Sequence, residues 1–324
     1  MNVPHRVAIL DDYQEVAASM ARWEALGPEV GIDFFDRHLG EADIVETLRP
    51  YDIIVAMRER TVFDQALLTQ LPDLRLLVTT GMANASIDIE SAHRLGIVVS
   101  GTRGVVGPAA ELAWALLLAL VRNIPEEVAN FQAGGDRWQL TLGSDLQNKT
   151  LGVAGLGKLG KLVAGYGKAF NMNVLGWSRN NTPERAADLG IGFVQSLDEL
   201  LSASDVVSLH LTLNPETRGL IGARELGLMK PDAVIINTSR GPLIDEAALV
   251  AALRDGTIGG AGLDVFDTEP LPADHPFRML PNVVATPHLG YVNRETYEVY
   301  FGDAVENIQT WLAGAPVRVL AAPA

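Results

Sequence analysis

Arg240, Glu269 and His288 each stand shortly after an apolar run that reads as a β-strand. Arg240 lies in Asn237-Thr-Ser-Arg240-Gly-Pro, Glu269 in Asp264-Val-Phe-Asp-Thr-Glu269-Pro, and His288 in Thr286-Pro-His288-Leu-Gly. The three side chains suit the reduction of a 2-oxo acid. A guanidinium grips a carboxylate with two parallel hydrogen bonds. An imidazole gives a proton to a developing alkoxide, or removes it in the reverse direction. A carboxylate beside the imidazole fixes the ring and raises its pKa. No one of the three is specific alone: His5, His38, His93, His210 and His275 are also present, and His275 in Ala-Asp-His-Pro is the nearest rival. Their placement at successive strand ends is what joins them, because ligands of parallel α/β sheets bind at the carboxyl ends of the strands.

The elements that must hold them are legible as alternating apolar runs and helical patterns. Leu151–Ala154, Asn173–Gly176, Val206–Leu209, Ala233–Ile236, Ala261–Asp264 and Val283–Thr286 predict six strands of a doubly wound nucleotide-binding sheet. An earlier series, Val7–Leu10, Ile53–Ala56, Leu76–Thr79 and Ile97–Val99, predicts a second parallel sheet. Pro108 suits the first turn of a helix that runs apolar nearly all round from Leu112 to Val121, which predicts burial between domains or subunits. A further amphipathic helix is expected between Gly290 and Leu312.

Between the first two strands of the nucleotide-binding series lies Gly155-Leu156-Gly157-Lys158-Leu159-Gly160. Its glycines permit a tight turn, close approach to a pyrophosphate and contact of helix with strand, and the helix N-terminus supplies amides to the phosphates. The reducing equivalent is therefore expected from a nicotinamide dinucleotide. Near the end of the second strand comes Gly176-Trp-Ser178-Arg179-Asn180-Asn181, where an acid usually binds the ribose 2′-hydroxyl. Ser178 removes the repulsion that an Asp would exert on a 2′-phosphate, while Arg179 and Asn180 offer charge and a donor. NADP is favoured over NAD on that ground.

Composition narrows the partners. With 25 Lys and Arg against 40 Asp and Glu the net charge is −15, which argues against non-specific nucleic-acid binding. There is no cysteine, which excludes disulfides, zinc–thiolate sites and thiol catalysis, and no metal is expected. The N-terminus lacks an apolar signal core, and the longest apolar run, Leu112 to Val121, is about half a membrane span. A soluble cytoplasmic protein without a membrane partner is expected.

The segments GLGKLG, HLTLNPETRGLIG, MKPDAVIINTSRGPLIDEAALVAALRDG, GLDVFDTEPLP and LPNVVATPHLG resemble the D-isomer-specific 2-hydroxyacid dehydrogenases, over nearly the whole chain and most strongly from Leu151 to Gly290. The resemblance implies an α/β fold of two Rossmann-like doubly wound parallel-sheet domains with the active site in the cleft between them. Residues 1–101 plus 291–324 would bind substrate, and 102–290 would bind the dinucleotide. It implies Arg240, Glu269 and His288 as the catalytic trio. Asp264 would meet the nicotinamide carboxamide. Leu211, Thr212, Thr217, Thr238, Ser239 and Gly290 would lie near the cofactor. The helix from Pro108 matches the family's dimer helix, so a homodimer is implied, with Trp138 on a loop that in some members reaches the neighbouring subunit.

The chain departs from the family pattern at three places. Thr212 stands where proline is common, and Gly81-Met82-Ala83-Asn84 replaces a more glycine-rich substrate turn. Met57-Arg58-Glu59-Arg60 occupies the other substrate loop, so Met57, Arg58, Met82 and Ala83 are the candidates that shape the pocket for a small 2-oxo or 2-hydroxy acid. Glu269 disfavours a formate dehydrogenase, in which glutamine is usual there. No extra regulatory domain of the kind found in many phosphoglycerate dehydrogenases is expected after the last helix. The alternative from another class is a dinucleotide-sensing, co-repressor-like binding protein with little turnover, since such proteins keep the trio.

Overall fold

A computed structural model describes residues 4–40, 42–179 and 183–321. The chain divides into two compact units, Met1–Val105 with Val292–Ala324, and Val106–Tyr291. The division falls at 105 and 292 rather than at 101 and 291.

The first unit is built on a five-stranded parallel sheet. Its strands are β1 (His5–Ile9), β2 (Val30–Phe34), β3 (Ile53–Ala56), β4 (Leu76–Thr79) and β5 (Val98–Gly101), in the order β2-β1-β3-β4-β5. Every residue of β3 and β4 is buried, which is why these strands read as unbroken apolar runs. The Arg294–Leu312 helix belongs to this unit and packs on β4 and the Ala17–Met20 helix. Asn293 caps it by accepting from the Thr296 amide at 2.8 Å. Asn307, fully buried on that helix, donates to the Gly101 carbonyl at 2.8 Å.

The second unit is a seven-stranded parallel sheet. Its strands are β6 (Thr150–Ala154), β7 (Asn173–Trp177), β8 (Gly192–Phe193), β9 (Val206–Leu209), β10 (Val234–Asn237), β11 (Gly260–Leu263) and β12 (Val283–Ala285). Their order, β12-β11-β10-β9-β6-β7-β8, reverses between β6 and β9, which makes a topological switch point there. The registers place Trp177, Ala154, Leu209, Asn237, Leu263 and Ala285 in one row across the sheet. The residues that come next in the chain are Ser178, Gly155, His210, Thr238, Asp264 and Thr286, so one edge of one sheet presents the loops singled out by sequence.

The Gly107–Val121 helix covers one face of this second sheet. Ala110, Ala113, Trp114, Leu116, Leu117 and Leu120 are buried there, and Trp114 meets the rings of Tyr166 and Phe170 edge-on. One side of the helix is thus covered within its own unit, while Leu112, Leu118, Ala119 and Val121 are half-buried and Ala115 is exposed. Two strands went unread in the sequence, β2 and β8, and both are sheet edges.

Candidate active site

Gly155 follows β6 with φ +100, a backbone that other residues adopt only under strain. A Cβ there would stand 2.3 Å from the His210 carbonyl oxygen, and one on Gly160 would stand 1.9 Å from the Gly155 oxygen. These two glycines let strand, turn and helix close on one another. Gly157 differs: a Cβ there would meet nothing within 4 Å. It is the N-cap of the Lys158–Ala169 helix, and the first turn of that twelve-residue helix has no side-chain cap. Leu156 is buried, Lys158 is exposed and Leu159 lies between.

The neighbouring loops complete this edge. Thr238 is buried, and its Oγ1 has no hydrogen-bond partner among the described residues. Ser239 is turned inward, its hydroxyl donating to the Leu209 carbonyl at 2.7 Å. Thr217 is also buried and donates to the Thr212 carbonyl at 2.7 Å, so it holds its own loop. Leu211 packs into the core of the unit, while Thr212 is exposed. Ser178 is half-buried and Arg179 is exposed, the latter paired with Glu216 at 2.5 Å. Asn180 lies outside the described residues. An uncapped helix N-terminus, an open glycine and an orphaned buried hydroxyl along one sheet edge fit a dinucleotide.

The three candidate catalytic residues follow β10, β11 and β12. Arg240 lies in the loop after β10, held by Asn237, whose side-chain amide donates to the Arg240 carbonyl at 2.9 Å. Its own Nη1 donates to the Ser239 carbonyl at 2.6 Å. The structure brings Glu269 and His288 together: His288 Nδ1 lies 2.7 Å from Glu269 Oε2. The other carboxylate oxygen, Oε1, accepts from the Phe266 amide at 2.9 Å, so the carboxylate is fixed at both ends. His288 adopts φ +55, and its ring stands edge-on to Tyr291 at 5.2 Å. With Nδ1 engaged by Glu269, Nε2 is the nitrogen available to a substrate.

Asp264, which the resemblance implies at the nicotinamide carboxamide, also anchors the loop of His288. Its side chain is fully buried and accepts from the Thr286 hydroxyl at 2.6 Å, the Leu289 amide at 2.7 Å and the Gly290 amide at 2.8 Å. All three donors belong to the loop that carries His288. Burial pushes the Asp264 carboxyl above the ordinary carboxylate range, opposed by those donors. Thr286 and Tyr291 therefore join the site, as does Glu216. The pattern Thr-Pro-His pointed to Thr286, whereas nothing in the sequence pointed to Glu216.

His275, the rival histidine, is engaged in its own pair with Glu246 at 3.0 Å. In the first unit, Met57 is buried, 1% exposed, and its sulfur meets the Thr80 hydroxyl at 3.5 Å. Arg58 has φ +49 and is clamped by the Thr80 carbonyl at 2.9 Å and by Glu59 at 3.4 Å. Its Nη1 lies 1.8 Å from where a Cβ on Gly81 would be, so glycine at 81 makes room for it. Met82 and Ala83 are exposed, above a turn tied down by Asn84, which donates to the Arg58 carbonyl at 2.6 Å and the Thr79 hydroxyl at 2.8 Å.

Known proteins share the fold and sequence of this chain. The family model for the NAD binding domain of D-isomer specific 2-hydroxyacid dehydrogenases matches residues 114–290. A glyoxylate reductase of Aeropyrum pernix is 43% identical over 260 residues, 78% of this chain and 77% of that one. A D-3-phosphoglycerate dehydrogenase of Synechocystis is 39% identical over 301 residues, 90% of this chain but 53% of that one, so the chain spans about half its length. The crystal structure of a phosphoglycerate oxidoreductase from Vibrio cholerae superposes with a TM-score of 0.91 at 36% identity, covering 96% of this chain and 100% of that one. The family match spans more than half of the chain and holds the loops of Arg240, Glu269 and His288, so the chain belongs to the D-isomer specific 2-hydroxyacid dehydrogenase family.

Proposed function

We propose that this chain is the catalyst of hydride transfer between NADP, in preference to NAD, and a small 2-oxo or D-2-hydroxy acid, with Arg240, Glu269 and His288 as the catalytic residues. Family membership supports the reaction class and a nicotinamide dinucleotide. The observation that carries the residue assignment is the 2.7 Å contact of His288 Nδ1 with Glu269 Oε2. The amides of Gly157 to Leu159 would take the pyrophosphate, and Thr238 and Thr212 would lie along the dinucleotide. When bound, the nicotinamide supplies the hydride in reduction and takes it in oxidation.

The protein's own groups do the rest. In reduction His288 donates a proton from Nε2 to the substrate oxygen that becomes the hydroxyl. Glu269 accepts a hydrogen bond from Nδ1–H and keeps the ring oriented so that Nε2 faces the substrate. Arg240 binds the substrate carboxylate through its planar fork. Asp264 orients His288 through Thr286, Leu289 and Gly290. Arg58, Met82 and Ala83 are retained as candidates for substrate selection.

The test is loss of NADPH absorbance with glyoxylate, hydroxypyruvate and 2-oxoisocaproate, for the wild type and for His288→Gln. Turnover of one of them, with kcat reduced at least about a hundredfold in the variant, is expected. Tight cofactor binding with no turnover of any 2-oxo acid would refute the assignment in favour of a binding protein.

We also propose a homodimer. Ile124, Val128, Phe131, Trp138 and Leu142 are exposed on the Ile124–Ala133 helix and the loop after it, with Phe131 and Trp138 in ring contact at 6.0 Å. A second copy would cover them.

A further inference from the structure

The sequence presents Arg179 as a free positive charge beside the ribose position, but the structure pairs it. Its Nη1 meets Glu216 Oε2 at 2.5 Å. The two residues come from the loops after β7 and β9, the strands on either side of β6. Their pair therefore spans the switch point, where the Gly155 turn opens. The Glu216 backbone is held in place: Asn214 Oδ1 accepts from the Glu216 amide at 2.9 Å and from the Thr217 amide at 3.0 Å. Thr217, buried, locks the same turn through the Thr212 carbonyl. The side chains stay in water, 44% exposed for Arg179 and 70% for Glu216.

Such a pair is weak. Exposed ion pairs contribute little because both partners are well hydrated and must be ordered to meet. A phosphate carries more charge than a carboxylate and offers three acceptor oxygens to a guanidinium. A 2′-phosphate reaching Arg179 competes with Glu216 for the same donors at little cost to the fold.

We propose that Glu216 is a specificity residue that acts through Arg179, holding the guanidinium in place when no phosphate is present and yielding it to the 2′-phosphate of NADP. This rests on the NADP preference proposed above. Glu216 lowers the advantage of NADP without abolishing it, and so sets how strongly the two cofactors are told apart. It does not touch the hydride, the proton or the substrate.

The experiment measures Kd for NADPH and NADH by nicotinamide fluorescence on substrate-free protein, at about 0.15 M salt to screen long-range charge. Wild type, E216Q, R179A and the double variant are compared. R179A is expected to weaken NADPH at least about tenfold and to leave NADH nearly unchanged. E216Q is expected to tighten NADPH about threefold, the scale of an exposed ion pair, with NADH unchanged. In the R179A background the same change is expected to have a smaller effect, because no competition remains to be relieved. An E216Q effect as large without Arg179 would overturn the proposal, since Glu216 would then act only as a local negative charge. Weakened NADH with unchanged NADPH in E216Q would also overturn it, making Glu216 the acid that holds the ribose hydroxyls. If wild type prefers NADH and R179A changes neither cofactor, the NADP reading itself falls. If wild type prefers NADPH and R179A removes that preference while E216Q leaves it as it was, only the role of Glu216 falls.

Discussion

At the scale of single residues, His288 is positioned more heavily than a surface histidine needs. Its backbone sits at φ +55, its Nδ1 meets a carboxylate fixed by the Phe266 amide, and its loop is tied by three hydrogen bonds to buried Asp264. Glu269→Gln should therefore reduce kcat for 2-oxo acid reduction by about ten- to a hundredfold and leave the Kd of NADPH within about twofold. A variant with unchanged kcat at every pH would separate Glu269 from the mechanism. The sequence exposed Arg240, Glu269 and His288 because reactive residue types after apolar runs are visible without coordinates. It hid how Asp264 ties the His288 loop, because its three donors lie 22, 25 and 26 residues away in the chain.

His210 gives a residue-scale prediction of another kind. Its Nδ1 is buried with no hydrogen-bond partner among the described residues, Nε2 contacts the Ser208 hydroxyl at 2.8 Å, and burial pushes the imidazole down to about 4. The ordinary value is about 6.5. A depressed folded value means that the unfolded chain takes up the proton first. The contribution of His210 is intact above about 6.5 and is lost as pH falls through the window toward about 4. One edge of the residue is partly exposed, so the loss should reach about 1–3 kcal/mol, below the full linkage limit. Urea unfolding at pH 7 and pH 5 should show a smaller acid decline in His210→Gln than in the wild type. Equal declines would mean that His210 is not the group being titrated.

At the scale of elements, the nucleotide fingerprint is a packing device before it is a ligand site. The Lys158–Ala169 helix can approach β6 only because Gly160 has no side chain, with the Gly155 oxygen 1.9 Å from the missing Cβ. Gly160→Ala should push the helix off the strand, costing about 1–3 kcal/mol of stability. The helix carries the amides expected to meet the pyrophosphate, so Kd for NADPH and NADH should rise together. Thermal unfolding and the two Kd values test this, and an unaltered Tm would show that the turn absorbs the extra methyl. The legibility of elements follows the same logic of burial. The strands read from the sequence include β3, β4 and β9, which are buried along their whole length. β2 was missed because its residues are only half-buried or exposed, and β8 because it is two residues long. Both lie at sheet edges, where one side needs no apolar neighbour. The Gly107–Val121 helix is apolar nearly all round, yet it is buried only on the side that meets β10, β11, β12 and the Lys158–Ala169 helix, with Leu112, Ala115, Leu118 and Val121 half-buried or exposed.

At the scale of the whole molecule, two features remain beyond the reach of any single element. Phe131, Trp138 and Leu142 are 70%, 79% and 95% exposed, an apolar set that a second copy would cover in the proposed dimer. Sedimentation at micromolar concentration should give a dimer, and Phe131→Asp with Trp138→Asp should shift it toward monomer. A wild type that sediments as a monomer would refute the dimer. The other feature is charge. A net charge of −15 sets a repulsive field against an anionic 2-oxo acid, and only a few local cations such as Arg240 oppose it. Raising ionic strength from about 0.01 to 0.15 M shortens the screening length from about 30 to about 8 Å. Distant acids are screened over that range, while a guanidinium in direct contact with a carboxylate is screened much less. Thus kcat/KM for a 2-oxo acid should rise with salt, by about two- to fivefold, through substrate capture and not through kcat. A fall in kcat/KM over the same range would mean that the positive groups of the site, and not the acidic surface, govern the approach of the substrate.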